Sequence, residues 1–298
     1  MKPALFSVSY AGLWGQSTRT LDEFVQFAGQ AGYASVMIAG KRPHLSPLDT
    51  SPARLSRLRE QLQAAQVTCD VVAAYTNFAP AVKQAGEVPY LEMQIAYVES
   101  LASIASQLGA SIIRVFTAYE TDGLDLQSLW KRVVSAIREC CDRVQPSGLT
   151  LAVQNHHDLG LPTEALLDLI REIDRPNCKL GFDAWSPALR GEDLYSAALQ
   201  AAPYAVLTTN ADYVHLPRHH YCPELVNYQR VWPDWVRAVP FGTGFIDYDA
   251  FFSGLSEGGF KGIAAYEICS PIRGGGELPN LDACASRYLA WMRERNFV

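Results

Sequence analysis

The chain has 298 residues, with 25 Lys and Arg residues against 31 Asp and Glu residues and a formal net charge of −6. A hydrophobic fraction of 49% and a charged fraction of 19% indicate a folded protein with a full core and exclude a disordered chain. The acidic balance and the lack of a Lys/Arg run argue against binding to a nucleic-acid backbone. The length allows two domains of about 150 residues or one α/β barrel of about 250 residues.

The seven cysteines indicate free thiols, because their number is odd and no CxxC spacing suggests a disulfide framework or a zinc ribbon. The first eight residues lead directly into a strand-like run, without the charged and apolar regions of a signal peptide. No stretch approaches the roughly 18 apolar residues of a membrane span. These features predict a cytoplasmic protein that does not bind membranes.

Apolar runs of strand length alternate with segments of helical periodicity along the chain. The first predicted helix opens with Thr20 and Glu23, which have the spacing of a capping box. The predicted strands are Ala4–Tyr10, Ser35–Ala39, Thr68–Ala74, Ser111–Phe116, Leu149–Asn155, Lys179–Asp183, Ala211–His215 and Gly262–Glu267. The predicted helices are Thr20–Gly32, Ser51–Gln66, Val88–Leu108, Leu126–Val144, Pro162–Ile173, Leu194–Ala202, Asp249–Gly258 and Leu281–Arg295.

Eight β-then-α units predict an α/β fold, a single (β/α)8 TIM barrel with residues 1–298 in one domain. Strands as continuously apolar as residues 112–116 are typical of parallel strands that are covered on both faces. An open doubly wound sheet is the alternative, but no GxGxxG follows the first strand. The connection from His215 to Asp249 is far longer than the usual loop of about 5 residues, which predicts a functional lid or a surface insertion.

Polar residues end the last four predicted strands, where the catalytic groups of such a barrel lie. They are Gln154, Asp183, His215 and Glu267. A divalent cation would compensate carboxylates that converge there, and one imidazole with oxygen ligands suits Mn²⁺, with Co²⁺, Mg²⁺ or Zn²⁺ as alternatives. Structural roles stay open for each residue. Glu267 could pair with Arg273, Asp183 could cap a helix, His215 could be a loop histidine, and Gln154 could bond to the backbone.

These residues resemble the metal site of the xylose isomerase-like TIM barrels, which present Glu, Asp, His and Glu at the ends of strands five to eight. The motifs are Leu151–His156, Gly181–Asp183, Tyr213–His215, Ala265–Glu267 and Phe241–Asp247, the last resembling a G-x-G-x-I-D sequence. The resemblance implies a sugar isomerase or epimerase, a homodimer or homotetramer, and a carbohydrate substrate. Abasic-site endonucleases share the fold but need more metal ligands and a basic face.

The chain departs from the family pattern at three positions. Gln154 stands in place of the first Glu, Ser186 in place of a His, and Arg218 in place of an acidic residue. With Gln154 the predicted ligand set carries a charge of −2 rather than −3, which predicts weaker metal binding. It also removes one of the two carboxylates that an epimerase uses as acid and base.

The resemblance implies that the metal polarises a carbonyl while Glu267 removes the adjacent proton to give an enediolate. His156, two residues beyond Gln154, is the predicted second acid/base group, with His157 beside it. Elimination of a β-leaving group, as in a lyase or dehydratase, is the second prediction, and a non-catalytic sugar- or metal-binding barrel is the third. A cation, Arg218 or Arg273, is predicted to stabilise the enediolate. The predicted substrate contacts are His44, Trp14, Tyr75, Trp185 and Arg273.

Overall fold

A computed structural model describes residues 1–79 and 88–298 of the chain. The strands are β1 (Lys2–Phe6), β2 (Ser35–Ala39), β3 (Thr68–Ala73), β4 (Ile112–Val115), β5 (Thr150–Gln154), β6 (Cys178–Gly181), β7 (Ala205–Asn210), β8 (Asp212–Cys222), β9 (Asn227–Val239) and β10 (Ile263–Tyr266). Eight of them close a barrel in the order β1-β10-β7-β6-β5-β4-β3-β2, and each neighbouring pair is parallel. The predicted single (β/α)8 barrel is confirmed.

Helices follow the barrel strands and cover the outside of the barrel. They are α1 (Leu21–Gln30), α2 (Pro52–Ala64), α3 (Tyr90–Leu108), α4 (Leu126–Val144), α5 (Thr163–Ile173), α6 (Trp185–Leu189), α7 (Leu194–Ala201), α8 (Tyr248–Glu257) and α9 (Leu278–Glu294). The predicted capping box of α1 is present, because the Thr20 hydroxyl accepts from the Glu23 N–H and the Glu23 carboxylate accepts from the Thr20 N–H. The short helix α6 was not predicted. In the described ranges, no helix is long and apolar enough to cross a bilayer.

Side-chain alternation along the strands explains why they read as continuously apolar. In β2, Val36 and Ile38 pack outward against the helices, whereas Met37 belongs to a second cluster that fills the barrel interior. In β4, Ile112 belongs to the interior cluster and Ile113 to the outer one, so the same alternation directs Arg114 into the barrel. All seven cysteines lie in described parts of the chain and are free thiols, as predicted.

The prediction of strand seven was wrong. The barrel strand is Ala205–Asn210, and residues 211–215 lie beyond it, mostly in β8. The polar sequence 208–210 resembles a loop, but Asn210 is buried and donates to the Ala265 carbonyl at 3.1 Å and to the Tyr288 hydroxyl at 3.2 Å. Strand one also ends earlier than predicted, at Phe6, and a 3-10 turn follows it.

The long connection after strand seven is a β-hairpin rather than an irregular lid. Strands β8 and β9 pair antiparallel from Asp212 with Val239 to Cys222 with Asn227. At the hairpin base, the Asp212 carboxylate accepts a hydrogen bond of 2.7 Å from the Gly244 N–H. A Cβ on Gly244 would lie 2.0 Å from Asp212 Oδ1, so this close approach requires glycine. The hairpin is therefore fixed to the barrel through the glycine motif that the sequence analysis singled out.

Candidate active site

A cavity of about 260 Å³ lies at the carboxyl ends of the barrel strands. This volume is below the range of about 300–1,000 Å³ for drug-sized ligands, so the cavity suits one small substrate. Among the predicted site residues, it is lined by Trp14, Tyr75, Gln154, His156, His157, Asp183, Trp185 and Glu267. Side chains that sequence reasoning missed also line it, chiefly Lys41, Arg114, Thr209 and Cys269.

Asp183 is held by hydrogen bonds from two neighbouring strands. Its Oδ1 accepts from the Thr209 N–H at 2.8 Å, and its Oδ2 accepts from the Thr209 hydroxyl at 2.7 Å. The Gln154 amide also donates to Oδ2 and to the Thr209 hydroxyl oxygen. The Asn155 side chain fixes the backbone of Asp183, because it accepts from the Asp183 N–H at 2.7 Å and donates to the Asp183 carbonyl at 2.9 Å. The ends of β5, β6 and β7 are therefore joined by protein groups alone. Ser186, which stands where the family pattern has a His, also supports this region, because its hydroxyl donates to the Asn155 carbonyl at 2.8 Å.

The two carboxylates of the cavity both favour their protonated forms more than ordinary acids do. Burial and the nearby Glu267 charge raise the pKa of Asp183 to about 7, although the bonds from Thr209 oppose the shift. Burial also raises the pKa of Glu267, against hydrogen bonding from the Cys269 thiol and the positive charge of Arg114. Carboxyl groups whose pKa is raised toward 7 can exchange protons with a substrate near physiological pH.

Two cations line the same cavity, on the side of strands β2 to β4. Arg114 is only 1% exposed; its Nη1 donates to the Ala74 carbonyl at 3.1 Å, and its guanidinium lies 3.9 Å from the Phe116 ring centroid. Lys41 follows β2 and places Nζ 3.6 Å from the centroid of Tyr75, which Arg114 also contacts at 4.8 Å. The charged residue within the apolar run 112–116 was the available signal for Arg114, whereas Lys41 had no comparable signal.

His156 and His157 form a pair at the cavity wall beside β5. The His157 N–H donates to Nδ1 of His156 at 2.8 Å, and Nε2 of His157 lies 3.1 Å from the Thr76 carbonyl. Burial lowers the pKa of His156 to about 3 and that of His157 to about 4, so both rings are neutral at pH 7. Nδ1 of His156 also lies 2.9 Å from Nδ1 of His157, so the tautomers of the two neutral rings are coupled. The pair therefore brings imidazole nitrogens that can accept or donate a proton to the cavity wall.

Four predicted site residues do not line this cavity. His215 lies on β8, where it is exposed and stacks on Phe245 with a centroid distance of 4.2 Å. Arg218 donates to the Pro233 carbonyl across the hairpin, and Arg273 is exposed beyond β10. His215 and Arg218 were predicted at the barrel mouth because strand seven was misassigned. Both residues lie on a strand of the hairpin, which carries them away from the mouth.

His44 is buried behind the barrel wall instead of facing the substrate. It is 1% exposed and stacks on Phe24 of α1 at 6.2 Å. Burial lowers the pKa of His44 to about 4, which keeps the ring neutral at pH 7. It is a core histidine, and the prediction that it contacts substrate is wrong.

The predicted ligand set for a divalent metal is not assembled. Thr209 stands at the end of β7 where the histidine was expected, and three donors already occupy the oxygens of Asp183. Within residues 1–79 and 88–298, no three His, Cys, Asp or Glu side chains form a group that could hold a metal ion. Lys41 and Arg114 already balance the formal charge of the two carboxylates. The residues at this position therefore do not fit a divalent cation.

The raised pKa of Asp183 predicts that its ionisation destabilises the fold. The native protein binds this proton more tightly than the unfolded chain, so the contribution to stability is present below about pH 4 and is lost as pH rises through 7. The free energy of unfolding of the wild type, relative to Asp183→Asn, should fall between pH 5 and pH 8 by about 3 kcal/mol. Urea unfolding at several pH values measures the difference, and a constant difference would contradict the assignment.

The ligand set predicts no tight Mn²⁺ binding by the wild type. Replacing the two neutral groups beside Asp183, in the double variant Gln154→Glu/Thr209→His, should supply a carboxylate and an imidazole and create a site. Titration calorimetry with MnCl₂ should then detect binding at least tenfold tighter than in the wild type. Gln154→Glu alone should give an intermediate affinity. Tight wild-type binding that Asp183→Asn abolishes would refute this prediction.

Comparison with known proteins gives the family of the chain. Residues 25–295 match the family model described as xylose isomerase-like TIM barrel. The uncharacterized protein YihM of Escherichia coli is 28% identical over 109 residues, which are 37% of this chain and 32% of that protein. The chain thus matches about a third of the length of this curated relative.

Solved structures with the same fold belong to proteins that are named for different activities. D-psicose 3-epimerase from Clostridium cellulolyticum, with D-tagatose, has a TM-score of 0.75 at 15% identity and 99% coverage of both chains. The probable 3-DHS dehydratase AsbF from Bacillus anthracis has a TM-score of 0.72 at 16% identity, covering 98% of this chain and 99% of that one. At these identities the similarity establishes the fold alone. The family match over residues 25–295 places the chain in the xylose isomerase-like TIM barrel family.

Proposed function

We propose that the protein is a sugar isomerase or epimerase that acts on a keto or aldo sugar, or a sugar derivative, through an enediolate. The observation that carries this proposal is one small cavity lined by a carboxylate, Glu267, and by two cations, Lys41 and Arg114. A base is needed to remove the proton next to a carbonyl, and fixed positive charge is needed to stabilise the resulting oxyanion.

Glu267 is the base in this proposal. Asp183 is less suited to the role because Thr209 and Gln154 donate to both of its oxygens. Burial raises the pKa of Glu267, which brings this pKa closer to a physiological pH and makes the carboxylate a stronger base. Its backbone N–H donates to the Asn210 carbonyl of β7 at 3.0 Å, and this bond fixes the start of the side chain.

Lys41 and Arg114 stabilise the negative charge that develops on the substrate oxygen. They take the role that the sequence analysis gave to a metal together with Arg218 or Arg273. Metal dependence, with Mn²⁺ as the first candidate, is implied by the family resemblance but is left out of this proposal because the ligand set does not fit. No step requires a divalent cation.

The fate of the proton separates isomerisation from epimerisation. One base can move a proton between neighbouring carbons on the same face of the substrate, as isomerisation requires. Epimerisation needs a donor on the opposite face, and the imidazole of His156 is the candidate because this ring lines the cavity. The stacked aromatic rings of Tyr119 and His157, together with Trp185, provide faces on which sugar C–H groups can pack.

A metal-independent lyase or dehydratase is the second candidate. The replacement of a carboxylate by Gln154 favours it, because β-elimination needs only one base for the proton and one acid for the leaving group. Glu267 would remove the proton and His156 would donate to the departing oxygen. A non-catalytic sugar-binding barrel is the remaining alternative. A cytoplasmic location and a homo-oligomer are also proposals, the latter supported by the exposed side chains of Trp232 and Trp235 on the hairpin.

Proton exchange in D₂O tests the proposed function. Wild-type protein treated with EDTA should introduce deuterium next to the carbonyl of at least one sugar in a panel of aldoses, ketoses and sugar acids, as followed by NMR. Glu267→Gln should slow the exchange by about 10²–10⁴-fold, the usual contribution of a general base. Glu294→Gln, at an exposed position of α9, is the matched control and should retain the wild-type rate.

The products distinguish the candidate functions. A product of the substrate's mass supports isomerisation or epimerisation, whereas loss of water or of another group assigns the lyase. Absence of exchange and turnover across the panel, in protein that is folded by circular dichroism, would favour the non-catalytic barrel. Exchange that appears only after Mn²⁺ is added would contradict the metal-independent mechanism.

A further inference from the structure

The cations and the carboxylates lie on different sides of the cavity. Lys41 follows β2 and Arg114 lies on β4, whereas Asp183 follows β6 and Glu267 follows β10. In the described parts of the chain, neither cation has a carboxylate within the 4.0 Å of a salt bridge. The cavity is therefore bipolar, with positive charge on one wall and negative charge on the other.

Arg114 is buried with little polar compensation. A buried charge usually requires an ionic partner and several hydrogen bonds, because its removal from water costs several kcal/mol. One bond to Ala74 and the rings of Phe116 and Tyr75 offset part of this cost. Its Nε has no hydrogen-bond partner among the described residues. The Nε side of a guanidinium is one edge of the planar fork that binds a carboxylate in bidentate geometry.

Other buried polar atoms of the cavity residues also lack partners in the described parts of the chain. They are the Trp185 Nε1–H and the Gln154 carbonyl oxygen. With Arg114 Nε, two of these three groups can donate a hydrogen bond. Buried polar groups in proteins are normally satisfied, so these donors indicate an oxygen-rich ligand that accepts more bonds than it donates.

Lys41 adds a second, movable charge. It is half-buried, and burial together with the neighbouring Arg114 cation lowers the pKa of its amine. An anion bound between the two side chains would relieve this repulsion. The contact of both cations with the Tyr75 ring keeps them close enough to share one bound group.

We propose that Arg114 and Lys41 form a binding subsite for a carboxylate, so that the substrate is an acidic monosaccharide with its carboxylate next to the reacting carbonyl, as in a keto-aldonic acid. This inference rests on the proposed function for the identity of the ligand as a sugar. The carboxylate would dock on the β2–β4 wall with the reacting carbonyl next to it, so that the same two cations also face the oxyanion of the proposed reaction. The polyol part would extend toward Gln154, Thr209 and Glu267. The bipolar cavity would thereby fix the direction in which the substrate lies.

The test is a binding measurement that does not depend on turnover. Titration calorimetry on the Glu267→Gln variant, which blocks the proposed reaction, compares 2-keto-D-gluconate, 2-keto-D-galactonate and D-gluconate with D-fructose, D-tagatose and D-glucitol. At least one acid should bind ten or more times more tightly than its neutral counterpart. Adding Lys41→Met should reduce this preference to threefold or less. Lys261→Met, at an exposed position just before β10, is the matched control and should leave the preference unchanged.

A second variant tests Arg114 itself. Arg114→Lys keeps a positive charge but removes the planar fork, so a bidentate carboxylate site should lose at least tenfold in affinity for the acid. If this variant does not fold, the Lys41→Met result decides alone. The inference is overturned if no acid binds more tightly than its neutral counterpart, or if Lys41→Met retains the preference. It is also overturned if D-glucose 6-phosphate binds more tightly than every acid, because the subsite would then be one for phosphate. Deuterium exchange with neutral sugars alone would leave the proposed function standing while refuting the acidic substrate.

Discussion

Asp183 joins three strands at the mouth of the barrel, and the rest of the site depends on how its charge is accommodated. A carboxylate at this depth needs either a cation or several hydrogen-bond donors. Here the donors come from Thr209 and Gln154, one strand away on each side. Because Gln154 and Thr209 are neutral, they stabilise Asp183 without adding negative charge. With Glu267 the site contains two carboxylates, and the two cations Lys41 and Arg114 balance their formal charge.

In the proposed mechanism, the positive charge of the site is supplied by side chains rather than by an ion. Arg114 is fixed by a β-strand, a backbone bond and surrounding aromatic rings, so its guanidinium has little freedom to follow a moving substrate. A bound metal can change its ligands during a reaction, whereas a fixed cation favours one arrangement of charge. Such preorganised charge stabilises a transition state effectively because the protein does not need to reorient during the reaction. This preorganisation costs free energy on folding, because the charge of Arg114 has to be removed from water.

The sequence predicted the barrel well because its evidence is distributed over the whole chain. Segments of strand and helix periodicity alternate eight times, so a misplaced strand does not change the number of βα units. The polar residues at three strand ends were identified because each follows an apolar run; they are Gln154, Asp183 and Glu267. Strand seven was misplaced because the residues 208–210 are polar and their partners, such as Tyr288, are remote in sequence. The run Tyr213–His215 has strand character, but it belongs to the hairpin.

The cationic wall shows a more general limit of reading a site from strand ends. Arg114 precedes the end of β4 by one residue, so a search restricted to the residues after each strand does not find it. Alternation within the strand does find it, because Ile112 and Arg114 lie on the same face and Ile112 fills the barrel interior. A charged residue at an interior position of a barrel strand has no solvent to reach except through the barrel mouth. Its charge therefore acts on whatever the mouth binds, and this constraint links the substrate preference of the site to a residue of the barrel wall.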